Sequence, residues 1–273
     1  MGDLLREQLH ALAVQDFTEP WELLIADNGI TEDITPLLAQ FSTAILLIRI
    51  ISATERPGRS YAINQAVPQA QSFRLLTLDS DDVVTPNYLT EINAALTRHD
   101  FVGARLDSTT LNPPWLRGRR KPMQSARLEP LLGRHTAVIG AGMAFTRTAF
   151  DKVNGFDENM LALEDLDISY RLQQAGIQPY FAPAAVVHYR YRRSCRAIFR
   201  QERTYARYEV LLHLKHRDTI APRPLHRIVR SWLDVIVAAT GVSTRTGRAQ
   251  LATSLGAATG RIDGSLRYGT FHL

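Results

Sequence analysis

The feature that most constrains this chain is Leu75 to Val84, which reads Leu-Leu-Thr-Leu-Asp-Ser-Asp-Asp-Val-Val. An apolar run that breaks into three carboxylates predicts a buried strand whose C-terminal end opens at the sheet edge, where α/β proteins keep their ligands. In an extended chain alternate side chains share a face, so Asp79 and Asp81 are expected to point one way and Ser80 the other. Two convergent carboxylates suit a hard divalent cation, Mg2+ or Mn2+, which takes oxygen ligands and is commonly shared with substrate phosphates. The plainer alternative is a solvated turn with an Asp capping the next helix. Thr85 and Pro86 already offer an N-cap and a first helical residue, which leaves the acids without that duty.

Upstream, Leu5, Leu9 and Leu12 recur at helical spacing and predict an opening amphipathic helix that ends near Asp16 to Pro20. Trp21 to Ala26 reads as a short buried strand ended by Asp27-Asn28-Gly29, a turn signal that throws one carboxylate out; an Asx turn accounts for Asp27 equally well. Ile34 to Phe41 predicts a short helix and Ala44 to Ile51 a strand. A loop from Ser52 to Ser60 leads into a helix over Tyr61 to Ala70. Beyond the carboxylates, Pro86 to Arg98 predicts a helix and Phe101 to Leu106 a strand. This alternation is that of a mostly parallel α/β sheet.

From Asp107 to Arg134 periodicity fails, and the cluster Arg117, Arg119, Arg120 and Lys121 reads as a solvated loop rather than a phosphate or membrane contact. Thr136 to Thr146 returns to strand character, where Gly140 and Gly142 permit close backbone approach. After a short helix near Thr148 to Val153, Leu163-Glu164-Asp165-Leu166-Asp167 opens a helix ending at Gly176. The helix dipole favours acids in a first turn, which explains their position but not their number. Gln178 to Phe181 and Ala184 to His188 read as short strands, and a lone strand-end histidine such as His188 is ordinarily a hydrogen-bonded surface residue. From Gln201 to about Ala258 the chain is a helical tail.

With 273 residues, 45% hydrophobic and 22% charged, the chain can bury a large core, as one domain with an appendage. A net charge of +5 suggests anionic partners, phosphorylated ligands or an acidic membrane surface, and no nucleic acid is expected. The single cysteine, Cys195, excludes an intrachain disulfide framework. No run of about twenty apolar residues occurs and the N-terminus offers no signal-peptide core, so the expected location is cytoplasmic or peripheral to a membrane.

Three pieces in this order, Leu23-Leu24-Ile25-Ala26-Asp27-Asn28-Gly29, then Leu78-Asp79-Ser80-Asp81-Asp82 with Pro86, then Gly155-Phe156-Asp157-Glu158 followed by Glu164-Asp165-Leu166-Asp167, resemble the family 2 glycosyltransferases, nucleotide-sugar enzymes of the GT-A fold. The match runs from about Leu4 to His188. The resemblance implies a GT-A-like domain over residues 1–190, with a nucleotide-binding part to about 106 and an acceptor part beyond it, and a helical extension over 191–273. It implies an inverting transfer of a sugar from a nucleoside-diphosphate sugar to a hydroxyl acceptor, with Mn2+ or Mg2+. Asp27, with Asn28, would meet the nucleobase, Asp79 the ribose or metal region, and Asp81 the cation. Asp165 would be the general base, with Glu164 as the alternative, and His188 would complete the metal coordination. Two departures stand out. Ile63-Asn64 replaces an Arg-Asn pair, so any diphosphate contact of that arginine falls to Arg56 or Arg59. The family's first strand, with its Pro-aromatic-Asn signature, has no counterpart, so an upstream strand is expected between the strands ending at Asp27 and Asp79.

Asp79-Ser80-Asp81 also resembles the first motif of haloacid-dehalogenase-type phosphatases, with Asp79 as nucleophile and Asp81 as acid/base. That reading leaves Asp27 and the Glu164-Asp165 pair unexplained. A glycosyltransferase relative that binds nucleotide sugar or a partner without turnover is the non-enzymatic alternative.

Overall fold

The computed structural model describes residues 2–119, 122–130, 135–218 and 224–270; Arg120, Lys121 and Arg134 lie outside the described residues. In chain order the elements are α1 (Gly2–Ala13), β1 (Leu23–Asp27), α2 (Thr35–Ala39), β2 (Ile48–Ser52), α3 (Arg59–Ala66), β3 (Arg74–Thr77), β4 (Val83–Val84) and α4 (Tyr88–Leu96). There follow β5 (Phe101–Asp107), α5 (Pro114–Arg117), β6 (Glu129–Pro130), β7 (Thr136–Ala137), β8 (Met143–Thr146), α6 (Arg147–Lys152), α7 (Glu164–Gln174), β9 (Tyr180–His188), α8 (Cys195–Lys215), α9 (Leu225–Thr240) and α10 (Arg245–Arg267). The chain divides into two compact units, Met1–Thr110 with Met123–Arg190, and Leu111–Pro122 with Tyr191–Leu273.

The first unit is built on a five-stranded sheet of order β3-β8-β5-β9-β4. Strands β5 and β9 are parallel, whereas β3 and β5 each run antiparallel to β8 and β4 runs antiparallel to β9. The α/β expectation holds, with a more mixed sheet than simple alternation suggests. Alternation along β5 sends Val102, Ala104 and Leu106 into a core shared with Leu5, Leu9 and Leu12 of α1 and with Leu89, Ile92 and Leu96 of α4. Phe101 belongs to a second core with Phe145, Phe150, Phe156, Ile168 and Leu172. Strands β1 and β2 form a separate parallel pair that sets Asp27 opposite Ser52. Among the described residues β1 is laddered only to β2, and β3 only to β8.

Several sequence expectations need correction. The strand expected to open into the carboxylates is β3, but it stops at Thr77, opposite Met143, and Asp79 and Asp81 lie not in extended chain but in a turn before β4, where the Asp82 N–H meets the Asp79 carbonyl at 3.4 Å. The pleat therefore does not set the directions of Asp79 and Asp81. Acidic side chains favour turns over ladders, and Asp79 and Asp81 keep access to water there, whereas Asp82 is buried. Thr85 does not cap a helix at Pro86; its hydroxyl donates to the Asn87 side chain and α4 begins at Tyr88. The strand expected from Thr136 to Thr146 is interrupted by a tight helical turn at Gly140–Gly142. The two strands expected before His188 are one, passing Pro183 through an irregularity of register opposite Ala104 and Arg105.

In the second unit Ser194 and Thr244 cap α8 and α10 by accepting the Ala197 and Gly247 N–H groups. The buried Arg119 pairs with Glu202 at 2.8 Å and lies over the Tyr191 ring, so it is not a solvated loop residue. α9 and α8 both pack on α10.

The Gly155-Phe156-Asp157-Glu158 turn is clamped by Asn64, which accepts the Phe156 N–H at 3.0 Å and donates to the Phe156 carbonyl at 2.9 Å and to Glu158 at 3.1 Å. Gly155 has a φ of +66°, and a Cβ there would stand 2.7 Å from both Asn64 Oδ1 and the Phe150 ring. Gly155→Ala is therefore expected to destabilise the chain by about 1–3 kcal/mol, through left-handed backbone strain and overpacking. Urea unfolding checks this; an unchanged midpoint would refute the clamp.

Candidate active site

The side chains singled out in the sequence sit where β1, β3 and β9 end and where α3 and α7 begin. Asn28 shapes the first of these places. Its Nδ2 donates to the carbonyls of Ala53 and Arg56, and its Oδ1 accepts the Gly58 N–H at 2.7 Å, so it staples the loop from which α3 starts. Asp27 makes an Asx turn, one carboxylate oxygen accepting the N–H groups of Gly29 and Ile30.

The staple delivers Arg59, the first residue of α3, to the centre of the site. Its Nε lies 3.2 Å from Asp79, its Nη1 3.3 Å from Glu164, and its Nη2 donates to the Gly140 carbonyl at 2.7 Å. The Gly140 carbonyl also accepts the Thr77 hydroxyl at 3.0 Å, and the Gly140 N–H donates to Asp165 at 2.9 Å. A Cβ at Gly140 would be 2.5 Å from the Arg59 guanidinium, so the close approach foreseen at this glycine is made by Arg59. One arginine thus joins the turn after β3 to the first turn of α7. Leu163, which precedes α7, holds the left-handed conformation at φ 58°, a strain of the kind that gathers at functional sites.

Burial pushes the carboxyls of Glu164 and Asp165 up; for Glu164 the neighbouring Asp165 adds to this and Arg59 opposes it. Burial also opposes the charge on Arg59, but Asp79, Glu164 and Asp165 together hold its pKa above the ordinary value. Asp167, the third acid of this turn, is a separate matter. It is fully buried and paired with Arg171 at 2.8 Å, four residues along the same helix.

On the other side of Asp79, Arg190 organises the turn. Its side chain donates to the Asp81 carbonyl at 2.7 Å and pairs with Glu7, and its N–H donates to Asp82. Asp82 is buried with its second oxygen unpartnered, and burial, with Asp79 and Asp81 adding to it, pushes its carboxyl up to about 8. The register sets Asp107 of β5 and Val83 of β4 on either side of His188. His188 Nδ1 lies 2.8 Å from Asp107. Burial alone would raise the Asp107 carboxyl, but hydrogen bonds from Thr109, Thr110 and His188 hold it well below the carboxylate range. Among the described residues no group of three His, Cys, Asp or Glu is gathered so as to hold a metal ion, so Asp79, Asp81 and His188 are not a preassembled cage.

The sequence reading therefore missed the partners rather than the carboxylates. On sequence, Arg59 stands out only as a substitute for the arginine replaced by Ile63. Arg190, Asp82 and the Asp107–His188 pair were not singled out, although Asp107-Ser108-Thr109-Thr110 carries a turn signal at a strand end.

A model of the glycosyltransferase-like family 2 matches residues 2–206. The chain belongs to this family. The match spans Asp27 and the Glu164-Asp165 pair, so it supports the glycosyltransferase resemblance and not the phosphatase one. A β-monoglucosyldiacylglycerol synthase of Nostoc sp. is 24% identical over 175 residues, 60% of this chain and 37% of that relative. A pre-mycofactocin glycosyltransferase of Mycobacterium tuberculosis is 32% identical over 98 residues, 35% of this chain and 21% of that relative. The family 2 chain thus spans well under half the length of these curated relatives. Among solved structures, a mannosyltransferase from Pyrobaculum calidifontis in complex with GDP-Man and Mn2+ has a TM-score of 0.65 at 18% identity, covering 97% of this chain and 84% of that one. S. aureus TarS in complex with UDP has a TM-score of 0.51 at 15% identity, covering 98% and 89%. The fold is shared with both. Among the described residues no helix is long and apolar enough to cross a membrane.

The state of Asp82 sets a pH test. Its folded pKa lies above the unfolded value, so the native state binds its proton more tightly and this residue costs stability as pH rises from about 4 to about 8. Asp82→Asn keeps the bond from the Arg190 N–H but does not titrate. Its stability relative to the parent is expected to climb across that window, by at most about 1.4 kcal/mol per pH unit, and to level off above it. Urea unfolding at a series of pH values reads this; a constant difference would show that Asp82 is ionised throughout.

Proposed function

We propose that this chain transfers a sugar from a nucleoside-diphosphate sugar to a hydroxyl acceptor with inversion at the anomeric carbon. The observation that carries the reading is the linkage of Asp79, behind β3, to Glu164 and Asp165, at the start of α7, through Arg59 and Gly140. Residues to about 106 bind the nucleotide and those from 107 to 190 face the acceptor. Asp27, with one oxygen held by its own turn, offers the other to the nucleobase, and Asn28 shapes the loop beside it.

Asp165 is the general base, with Glu164 as its alternative. The acceptor oxygen attacks the anomeric carbon as its proton passes to the carboxylate. The bond from that carbon to the diphosphate breaks, and the leaving nucleoside diphosphate keeps the electron pair. Both Asp165 oxygens accept backbone N–H groups, from Gly140 and Leu166, which fix the carboxylate for that proton. Arg59, which keeps its proton, orients Glu164 and offers positive charge toward the diphosphate.

The donor set fits a hard cation. Asp79 is about one-third exposed at an open turn, and His188 is oriented by Asp107 in the carboxylate–histidine pattern found behind metal ligands. Mn2+ or Mg2+ would be held by Asp79 and Asp81, with His188 as the remaining ligand, and would supply charge neutralisation for the leaving diphosphate. GDP-Man and Mn2+ in the mannosyltransferase neighbour support this class of donor and cation.

In a donor and acceptor panel, Asp165→Asn is expected to lower transfer by about 10²–10⁴-fold while leaving the chain folded and nucleotide binding near that of the parent, with a lower melting temperature because the amide nitrogen cannot accept the second backbone N–H. Near-normal turnover would move the base to Glu164. Calorimetric titration of nucleoside diphosphates with Mn2+ is expected to lose most of its affinity in Asp81→Ala, and unchanged affinity there would remove the metal role.

A further inference from the structure

Charge is strongly segregated between the two units. The second, Leu111–Pro122 with Tyr191–Leu273, carries 19 Lys and Arg against 5 Asp and Glu, a net +14, whereas the first carries 13 against 22, a net −9. Within the basic unit, α9 turns Ile228 and Ala238 inward and packs on α10. Its outer side is apolar. Val229, Trp232, Leu233, Ile236 and Val237 follow the i, i+3, i+4, i+7, i+8 spacing of one helical stripe, and each is between 39% and 68% exposed. Arg230 lies toward the flank of that stripe, Arg227 lies further round the helix, and Asp234 is the one acid in the helix.

We infer that the outer face of α9 is a docking surface for an anionic lipid bilayer. The apolar stripe lies in the acyl boundary, Trp232 sits at the interface, and the arginines of the helix and of its unit meet lipid phosphates. A helix too short and too polar to span, with apolar and tryptophan side chains on one side and arginines beside them, has the chemistry of a helix lying in the interface plane. Exposed apolar patches on a folded chain mark a partner or a membrane, and the net +14 decides between them. A second copy would bring two strongly cationic units together on this face, whereas an anionic membrane neutralises them. The inference does not rest on the transfer chemistry.

Co-sedimentation of the full chain with vesicles tests it. Binding to phosphatidylcholine containing about three phosphatidylglycerol molecules in ten is expected to exceed binding to phosphatidylcholine alone by at least about tenfold. Brominated acyl chains are expected to quench tryptophan fluorescence in the parent but not in Trp232→Phe, which keeps Trp21 and Trp115. Leu233→Gln with Ile236→Gln should lower partitioning at least about tenfold at an unchanged melting temperature, because both side chains are exposed. Vesicle binding that the double variant retains, or that leaves Trp232 unquenched, would overturn the inference. So would a stable dimer in sedimentation velocity that the double variant dissociates, which would assign the stripe to a second copy of the chain.

Discussion

The site depends on one guanidinium placed among carboxylates. Arg59 reaches Asp79, Glu164 and the Gly140 carbonyl at once, and Asp165 is joined to it through Gly140. Without a cation, desolvated acids at this spacing would repel one another and take up protons. With Arg59 among them, the turn behind β3, the glycine turn before β8 and the first turn of α7 are held to one centre. Arginine suits this task because its planar fork serves several acceptors and stays charged under burial.

The supports of Arg59 are themselves specified. Asn28 fixes the loop before α3, and Asn64 on the same helix grips Phe156, which belongs to the aromatic cluster of Phe145 and Phe150. Arg56 pairs with Glu158, and the Ser60 hydroxyl donates to the Met160 carbonyl. Helix α3 is thereby bound along its length to the segment that leads into α7. The Asn-Gly signal after β1, the Gly-Phe-Asp-Glu turn and the Glu-Asp pair are far apart in sequence but parts of one scaffold.

Much of this was legible in the sequence, for physical reasons. Leu5, Leu9 and Leu12, or the acids opening α7, announce themselves because helix periodicity and the macrodipole act locally. The strand end at Asp27 is marked by turn chemistry. The turn over residues 78–82 was not legible, because a strand ends where its ladder partner leaves it, and β8 leaves β3 opposite Thr77. Nor was the pairing of His188 with Asp107, 81 residues away in sequence, or the role of Arg59, which lies beside Pro57 and Gly58 where no periodicity reports on contacts. Sequence patterns disclosed which acids collect at the sheet edge; the cations that organise them came only with the structure.

The most direct test of this account is a double-mutant cycle on unfolding free energy between Arg59→Gln and Glu164→Gln. A partly buried pair that holds two segments together should show a coupling of about 1–3 kcal/mol, the double variant being less destabilised than the sum of the two single variants by that amount. Additivity within about 0.5 kcal/mol would contradict the account, because Arg59 and Glu164 would then be neighbours without being partners.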